Sequence, residues 1–321
     1  MYNIAIIGAG QIGSRHLQGL AGSLKQMKIY LIDPNNDALS LAKQRFQEIE
    51  NFAQKSILCH NNIDHLPKKI DLGIIATTAN VRREIIELIL DNCKINNLIL
   101  EKIVFQNPDD FAPIKKLFIE NKVKSWVYCG RRSSLFYQNL KKELIQKKIS
   151  ITVKGNEWGL ACNGIHMIDL FVFLTESSDI EIDISGLENI IFNSKRSGFK
   201  ELRGIIEIEN SRGDTLKLID SNKLDDSFKI FINTNDQKYD IFETKNFMLR
   251  YKLGDQPTQE HIEIEKVSKL TGNIVDKILE NGKSDLPSFN ECMEYHIPML
   301  DAFNKHISKV NGKIIKSCPI T

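Results

Sequence analysis

The chain has 321 residues, a length that suggests two domains of ordinary size. Apolar side chains make up 42% of it, with 18 glycines in addition, which excludes disorder as its main state. With 43 basic and 41 acidic side chains the net charge is +2, which argues against a dedicated nucleic-acid binder. The sequence contains no apolar run of the roughly 18–20 residues that span a bilayer.

The start of the chain and its cysteines favour a cytoplasmic location. Met1 and Tyr2 lead directly into an apolar run, without the basic segment or cleavage site of a signal peptide. The six cysteines are far apart and form no CxxC pair, as is typical of unpaired thiols in a reducing compartment. We therefore expect no disulfide framework and no metal site; the cysteines are Cys59, Cys93, Cys129, Cys162, Cys292 and Cys318.

The first 130 residues alternate short apolar runs with helical patterns. Runs that are apolar on both faces are typical of buried parallel strands, and we predict five: Asn3–Gly8, Lys28–Asp33, Leu72–Thr77, Leu98–Lys102 and Ser125–Tyr128. The helices predicted between them are Ile12–Gln26, Asp37–Glu50, Val81–Asn92 with Asn80 as its cap, and Asp109–Asn121. This alternation predicts a doubly wound parallel sheet.

The remaining residues follow a different pattern, of strands in succession. Two helices, Leu135–Lys147 and Cys162–Leu174, come before seven predicted strands, with Asn235-Asp236 as a tight turn: Ile180–Ser185, Leu187–Phe192, Leu202–Glu209, Thr215–Asp220, Phe228–Asn233, Lys238–Glu243 and Phe247–Tyr251. Such a succession predicts a mostly antiparallel open sheet in an α+β domain. Two further helices close the chain, Glu265–Glu280 and Ser288–Ser308, with a kink or break at Pro298.

A single domain boundary is therefore predicted near residue 131. Residues 1–131 would form the first domain and 132–321 the second.

The strongest local motif is a glycine-rich turn between the first strand and the first helix. Gly8 suits the tight turn, Gly10 lets the backbone approach a pyrophosphate, and Gly13 lets helix and strand pack closely. The anion would lie on backbone N–H groups at the helix N-terminus, where the helix dipole favours negative charge. We assign Gln11 and Ile12 to this cofactor site as well, and a purely structural glycine turn is the alternative.

Asp33 favours NAD as the dinucleotide. It ends the second strand twenty residues after Gly13, where a carboxylate can bind the adenosine ribose 2′-hydroxyl and repel a 2′-phosphate. NADP is the alternative, because neighbouring Arg or Ser side chains can override one acid. Thr77, the last residue of the third predicted strand, and Asn80, which follows that strand, are also assigned to the cofactor. Arg15 and His16 either lie near the cofactor phosphates or have structural roles. In the second case Arg15 is solvated and His16 packs on the domain.

Three motifs in order resemble the Gfo/Idh/MocA oxidoreductases. They are Gly8–Gly13 followed by Ser14-Arg15-His16-Leu17, Glu101-Lys102 at a strand end, and Gly164-Ile165-His166-Met167-Ile168-Asp169. The resemblance covers essentially the whole chain and implies an N-terminal Rossmann domain followed by an α/β domain with an open sheet. This second domain, residues 132–321, would bind the substrate and form oligomer contacts. Trp158–Asp169 and Ser194-Lys195-Arg196 also look like members of bacterial surface-sugar or nucleotide-sugar metabolism, a weaker likeness.

The resemblance implies the catalytic groups. Lys102 would lie beside the nicotinamide and a substrate hydroxyl, where an ammonium stabilises a developing alkoxide. His166 would be the general acid and base, since an imidazole titrates near pH 6.5. Glu101 would orient Lys102 or the backbone of the cofactor site. A surface lysine and a core histidine are the alternatives.

This chain departs from the family pattern at three positions. Many members carry Asp four residues before the catalytic His, where this chain has Cys162, which is either a weak pocket donor or a small buried residue. Ile103 stands where Pro is usual, so we expect the turn at Lys102 to differ if a cis peptide is needed there. Arg82 stands where His is common.

Other residues are candidates for substrate binding. Asn163 would bind a substrate hydroxyl, and Arg131 would bind a carboxylate or phosphate unless it forms an interdomain salt bridge. Lys195 and Arg196 either contact an anionic sugar nucleotide or belong to a solvated loop. Asp169 either orients the His166 imidazole or is a capping or solvated surface group.

The sequence therefore predicts an NAD(P)-dependent oxidoreductase that acts on a sugar or nucleotide-sugar, as a homodimer or homotetramer without nucleic-acid or membrane partners. One alternative is a catalytically silent dinucleotide-binding sensor or scaffold, which the missing Asp and Pro favour. Another is a reductase of the same fold that acts on a non-sugar substrate.

Overall fold

A computed structural model describes residues 1–49, 55–223, 228–252 and 254–321. Within these ranges, none of the helices has the length and apolar character needed to cross a bilayer. The chain divides into two compact units. The N-terminal unit comprises residues 1–105, 109–130 and 265–290, and the C-terminal unit comprises 106–108, 131–264 and 291–321.

The N-terminal unit is built on a six-stranded parallel sheet with strand order β3-β2-β1-β5-β7-β8. Strands β1, β2, β5 and β7 consist mainly of fully buried Ile and Leu side chains, as expected for a sheet covered on both faces. The elements are β1 (Tyr2–Ile7), α1 (Gln11–Ala21), β2 (Met27–Ile32), α2 (Asn36–Gln47), β3 (Lys55–His60), β4 (Lys69–Ile70), β5 (Leu72–Ile75), α3 (Arg82–Asn92), β6 (Lys94–Ile95), β7 (Asn97–Leu100), α4 (Phe111–Glu120) and β8 (Lys124–Val127); β4 and β6 form a separate pair.

The predicted doubly wound sheet is confirmed, with two local corrections. The edge strand β3 was not predicted, because its residues are only partly buried and mix polar with apolar side chains. Asn80 does not cap α3, since Val81 occupies the N-cap position and the helix begins at Arg82. Glu50, the predicted end of the second helix, lies outside the described residues.

The C-terminal unit contains an eight-stranded sheet with order β10-β13-β14-β9-β15-β16-β17-β18. All its pairs are antiparallel except β14 with β9, so the predicted fold class is confirmed. The elements are α5 (Leu135–Leu144), β9 (Ser150–Gly155), α6 (Leu160–Thr175), β10 (Ile180–Asp183), β11 (Phe192–Asn193), β12 (Lys200–Glu201), β13 (Gly204–Asn210), β14 (Thr215–Asp220), β15 (Lys229–Asn233), β16 (Gln237–Phe242), β17 (Phe247–Lys252) and β18 (Thr258–His261).

Several predictions in this unit need correction. The predicted strand Leu187–Phe192 is mostly irregular, and only the two-residue β11 begins at its end. Strands β9 and β18 were not predicted. The turn at Asn235-Asp236 is confirmed by a hydrogen bond from the Thr234 backbone N–H to the Gln237 carbonyl, 2.9 Å.

The last two helices are α7 (Val267–Asn281) and α8 (Phe289–Asn311). Helix α7 returns to the N-terminal unit, so the prediction of one boundary at residue 131 is wrong. A Cβ on Gly272 would lie 2.6 Å from the Gly19 carbonyl oxygen, which shows how closely α7 approaches α1. The Asp276 carboxylate accepts hydrogen bonds from the Ser23 hydroxyl (2.5 Å) and the Leu24 N–H (2.8 Å). Helix α8 continues through Pro298, so the structure shows no break there.

Candidate cofactor-binding and catalytic residues

The glycine turn between β1 and α1 requires glycine at two positions. Gly8 has φ +98°, a conformation that L side chains rarely adopt. A Cβ on Gly13 would lie 1.7 Å from the Gly8 carbonyl oxygen, so helix and turn can pack only without a side chain there. These contacts agree with the roles predicted for both glycines from the sequence.

Gly10 differs from them, because its side-chain direction is open. Among the described residues, no heavy atom lies within 4 Å of the position that a Cβ on Gly10 would occupy. Gly10 is the exposed N-cap residue of α1, and Gln11 and Ile12 follow in the first turn. This exposed backbone at a helix N-terminus fits an anionic pyrophosphate, which the helix dipole and first-turn N–H groups would hold.

Asp33 holds the glycine turn in place. Its Oδ2 accepts a hydrogen bond from the Ala9 N–H at 2.7 Å, and its Oδ1 accepts one from the Asn35 N–H at 2.8 Å. The carboxylate thus fixes the turn at the end of β1 from the end of β2, and it is only partly buried. Its contact with a ribose 2′-hydroxyl stays a prediction.

His16 and Glu101 form a buried pair behind this edge of the sheet. The His16 side chain is fully buried, and its Nε2 lies 2.9 Å from Glu101 Oε1. Its Nδ1 lies 2.9 Å from the Thr271 hydroxyl of α7, and its ring meets Tyr128 edge-on. The second interpretation of His16, packing on the domain, is confirmed. Glu101 is 6% exposed and directed at His16, and its assignment to the cofactor stays a prediction.

Exposed Arg15 donates to the Gln18 side chain at 2.7 Å. This contact is partly buried, and a contact of Arg15 with cofactor phosphates stays a prediction.

Lys102 lies in the loop that follows β7, and it is partly buried. The peptide bond between Lys102 and Ile103 is cis, and the expectation that isoleucine changes this turn stays a prediction. Thr77 lies in the neighbouring loop after β5, beside Gly8, and Asn80 is exposed further along that loop. Arg82 connects the two loops: its guanidinium donates to the carbonyl oxygens of Thr77, Ile103 and Val104.

The sheet topology explains why these residues share one edge. The glycine turn, Asp33, Thr77 and Lys102 each follow the carboxyl end of a strand, and the four strands are parallel neighbours in the order β2-β1-β5-β7. In open α/β sheets ligands bind outside these carboxyl ends. Within the described residues, no group of three or more His, Cys, Asp and Glu side chains is arranged to hold a metal ion.

Helix α6 carries His166 in the C-terminal unit, and two carboxylates hold its N-terminus. Glu201 of β12 accepts hydrogen bonds from the N–H groups of Ala161 (2.5 Å) and Cys162 (3.1 Å). Asp220 of β14 accepts from the N–H groups of Gly159 (3.1 Å) and Leu160 (3.2 Å). Burial raises the pKa of both carboxyls, although these hydrogen bonds act to lower it. No local sequence pattern indicates these two carboxylates, because each lies 39–61 residues further along the chain than the N–H groups that it binds.

Cys162 and His166 lie four residues apart on α6, so both project from the same face. Cys162 is 8% exposed, and its sulfur lies 3.8 Å from the Lys200 carbonyl oxygen. His166 is partly buried. Asn163 projects elsewhere, and its amide donates to the Trp158 carbonyl at 2.8 Å. Substrate contacts of these three residues stay predictions.

Asp169 belongs to a buried network. Its carboxylate binds the Arg132 guanidinium through both oxygens (2.6 and 3.1 Å) and accepts a hydrogen bond from the Tyr295 hydroxyl at 2.6 Å. Burial raises the pKa of Asp169, and the Arg132 charge opposes this. Asp169 is 0% exposed, so its interpretation as a solvated surface group is wrong.

Arg131 forms a bidentate ion pair with Glu243: its Nε donates to Oε1 at 2.9 Å and its Nη2 donates to Oε2 at 2.8 Å. Both residues belong to the C-terminal unit, so the alternative of an interdomain salt bridge is wrong for this pair. Tyr137 also donates to Glu243, at 2.6 Å. Substrate binding by Arg131 stays a prediction, and an anion would have to compete with Glu243 for the guanidinium.

This ion pair predicts a stability change with a characteristic pH dependence. Burial alone raises the pKa of Glu243, but Arg131 and Tyr137 outweigh it and hold the pKa below its ordinary value. The pair therefore stabilises the folded state above the unfolded-state pKa of about 4.3 and loses this contribution as the pH falls through the lowered folded pKa. We expect Arg131→Met to lower the free energy of unfolding by about 3–5 kcal/mol at pH 7, because it leaves a buried unpaired carboxylate.

Urea unfolding at pH 7 and pH 4 measures this effect. The loss should be much smaller at pH 4, because burial alone raises the Glu243 pKa in the variant. The double variant Arg131→Met/Glu243→Gln should recover most of the stability. Equal losses at both pH values, or no recovery, would show that the pair is not the cause.

The fold and these residues define a class: an α/β protein with a dinucleotide-binding edge on its N-terminal sheet. Residues 2–129 match the model of the oxidoreductase family with an NAD-binding Rossmann fold, GFO_IDH_MocA. Over these residues the match confirms the resemblance to the Gfo/Idh/MocA oxidoreductases that the motifs carry. A search of curated proteins finds no match to the chain.

Solved structures share the fold over nearly the whole chain. UDP-N-acetylglucosamine 3-dehydrogenase GnnA from Acidithiobacillus ferrooxidans is 11% identical with a TM-score of 0.72, covering 94% of this chain and 96% of its own. An Agrobacterium radiobacter oxidoreductase in complex with NAD⁺, L-tartaric acid and magnesium is 14% identical with a TM-score of 0.72 and 98% coverage of both. The super-repressor mutant of Gal80p from Saccharomyces cerevisiae is 14% identical with a TM-score of 0.72, covering 96% and 97%.

Proposed function

We propose that this protein is an NAD-dependent oxidoreductase that acts on a hydroxyl-bearing carbon of a sugar or nucleotide-linked sugar. The observation that carries the proposal is the glycine turn, where Gly8 and Gly13 admit no side chain and Gly10 leaves the start of α1 open. The sugar class is supported by the narrower sequence likeness and by the fold shared with a UDP-sugar dehydrogenase.

Asp33 supports NAD over NADP. Its carboxylate stands at the end of β2, fixed against the glycine turn by the Ala9 N–H, where a 2′-phosphate would meet a negative charge. Asn35, the N-cap of α2, and Asn36, its first residue, are uncharged and offer a 2′-phosphate no cation.

The proposed chemistry assigns one task to each of two side chains. The bound nicotinamide accepts or returns a hydride. In the oxidative direction, the C–H electron pair of the substrate leaves as hydride, the O–H proton passes to the His166 imidazole, and a C=O bond forms. Lys102 stabilises the negative charge that develops on the oxygen, and Glu101 with His16 holds the strand end that carries Lys102.

The setting of the protein is part of the proposal. Five of its six free cysteines are buried as thiols, which supports a reducing cytoplasm. The family resemblance supports a homodimer or homotetramer.

The experiment is a cofactor and substrate panel. NADH and NADPH binding is followed by cofactor fluorescence, and turnover by absorbance with free sugars, UDP-, GDP- and CMP-sugars, and non-sugar carbonyl compounds. We expect tighter binding of NADH than NADPH and turnover confined to one sugar class. Turnover only on non-sugar compounds would contradict the substrate assignment, and failure to bind either dinucleotide would contradict the whole proposal.

A second candidate function is a dinucleotide-binding sensor without turnover. It is favoured by Cys162, which stands where many family members carry Asp, and by the fold shared with the Gal80p super-repressor mutant. Tight NADH binding with no turnover on the whole panel is the result that would favour it.

A further inference from the structure

The Arg82 side chain is a charged group inside the N-terminal unit. It is the first residue of α3 and is 1% exposed, although arginine is among the residues least often buried. An arginine side chain is always protonated in proteins, so this position holds a permanent positive charge. Burial of such a charge is costly unless hydrogen bonds satisfy it, which raises the question of what it binds.

The partners of Arg82 come from two separate loops. Nη1 donates to the Val104 carbonyl oxygen at 2.8 Å and to the Ile103 carbonyl oxygen. Nη2 donates to the Thr77 carbonyl oxygen, in the loop after β5. One rigid guanidinium therefore ties the loop that follows β5 to the loop that follows β7.

These two loops lie at the edge of the sheet assigned to the cofactor. β5 and β7 are adjacent and parallel, with Ile75 paired to Leu100, so the loops leave the sheet side by side. The loop after β7 carries Lys102, two residues beyond the end of the strand. The next residue, Ile103, accepts a hydrogen bond from Arg82 through its carbonyl oxygen. The other loop contains Thr77, which lies against Gly8 of the glycine turn. The spacing between Lys102 and the glycine turn thus depends on a connection that Arg82 makes.

We propose that Arg82 is a positioning residue, which fixes the Lys102 loop against the Thr77 loop so that Lys102 meets the reacting oxygen. The proposal rests on the proposed oxidoreductase function and adds to it a residue outside the predicted cofactor and catalytic set. The hydrogen bonds that Arg82 donates to these carbonyl oxygens are stronger than those of a neutral donor, because the guanidinium is ionised. The planar fork reaches both loops at once, which an ammonium on a single stem does not do.

Neighbouring residues provide a matched control. Arg83 occupies the next position of α3, but its guanidinium pairs with Glu87 (2.9 Å) and Asp110 (2.6 Å) on a partly exposed surface. Arg83→Ala therefore removes an arginine from the same helical turn without removing a bond to Thr77, Ile103 or Val104.

The test compares Arg82→Ala, Arg82→Lys and Arg83→Ala. We expect both Arg82 variants to lower kcat by about 10- to 100-fold, while NADH affinity changes less than threefold and Arg83→Ala matches wild type. Guanidinium ion at millimolar concentration should restore part of the activity of Arg82→Ala, and it should not restore Lys102→Ala. Equal activity of wild type and both Arg82 variants, or an Arg82→Ala loss that guanidinium does not reverse, would overturn the proposal.

Hydrogen exchange separates this proposal from the proposed function, because it needs no substrate. In Arg82→Lys, which keeps the buried charge and so guards against global unfolding, amides of residues 77–79 and 103–105 should exchange at least tenfold faster. Exchange in β1 should stay at the wild-type rate. If the wild type turns over no substrate but this local pattern appears, the positioning role stands and the oxidoreductase function fails. If exchange in the two loops is unchanged, or rises equally in β1, the positioning role fails.

Discussion

Lys102→Met is expected to lower the rate of hydride transfer about 10²–10³-fold, with NADH affinity retained. The size follows from the loss of one positive group aimed at a developing oxyanion, which typically has this effect. Methionine keeps the length and apolar stem of lysine, so the partly buried position after β7 should still be filled. Stopped-flow absorbance with the best sugar of the panel measures the hydride step directly.

His166→Gln should lower the turnover rate about 10²–10⁴-fold, because the substitution removes the proton acceptor for the substrate hydroxyl. Glutamine can hydrogen-bond but does not titrate, so the variant should also lose the limb of the pH–rate profile that an imidazole gives. Loss of rate without any change in the profile would assign His166 to substrate positioning.

Two surface substitutions serve as controls for these variants. Lys116→Met changes a lysine that is 78% exposed on α4, and His65→Gln changes an exposed histidine that stacks on His60. Both controls should match wild type in kcat. If Lys102→Met, His166→Gln and the wild type all show equal rates, the catalytic assignments are wrong.

Gly10→Ala and Gly13→Ala are both expected to weaken NADH binding, but for different reasons. A Cβ on Gly13 would meet the Gly8 carbonyl oxygen at 1.7 Å, and a backbone atom cannot rotate away. Overpacking of a core usually lowers the free energy of unfolding by about 1–3 kcal/mol. A clash with a backbone atom should cost about 3 kcal/mol or more. Gly13→Ala should therefore lower both the melting temperature and the NADH affinity.

Gly10→Ala should leave the fold intact and weaken NADH binding by at least tenfold. Its Cβ meets no described atom within 4 Å, so the methyl group enters only the space where a pyrophosphate would approach the backbone. Thermal unfolding and NADH titration of the two variants distinguish these effects. Tight NADH binding by Gly10→Ala would show that the cofactor phosphates do not lie at this turn.

The N-terminal sheet was largely predictable because its rules are local. Buried parallel strands are apolar on both faces, and the glycines of the turn are fixed by contacts within a few residues of the chain. The partly buried edge strand β3 lacks that pattern. The C-terminal fold class was also predicted, although β9 joins β14 in the only parallel pair described in that sheet, which no turn pattern indicates.

Residues that act across the chain were the ones missed or misassigned. Glu101 was expected to orient Lys102 or the backbone, and the group that its carboxylate meets is His16, 85 residues earlier. Glu201 and Asp220 cap α6 from distant strands, and the guanidinium of Arg131 is held by Glu243, 112 residues later. No local pattern indicates such partners, because a buried charge is satisfied by whichever group the fold brings near.

By itself the sequence determined the order of strands and helices, the glycine turn, the acidic residue after β2 and the family model that residues 2–129 match. These follow from periodicity and from backbone conformations that few residue types can adopt. Only the tertiary structure decided that α7 packs on α1 in the N-terminal unit, and that Arg82 ties the loops after β5 and β7. Helix packing and the hydrogen bonding of a buried guanidinium depend on distances in space, which the separation of residues along the chain does not specify.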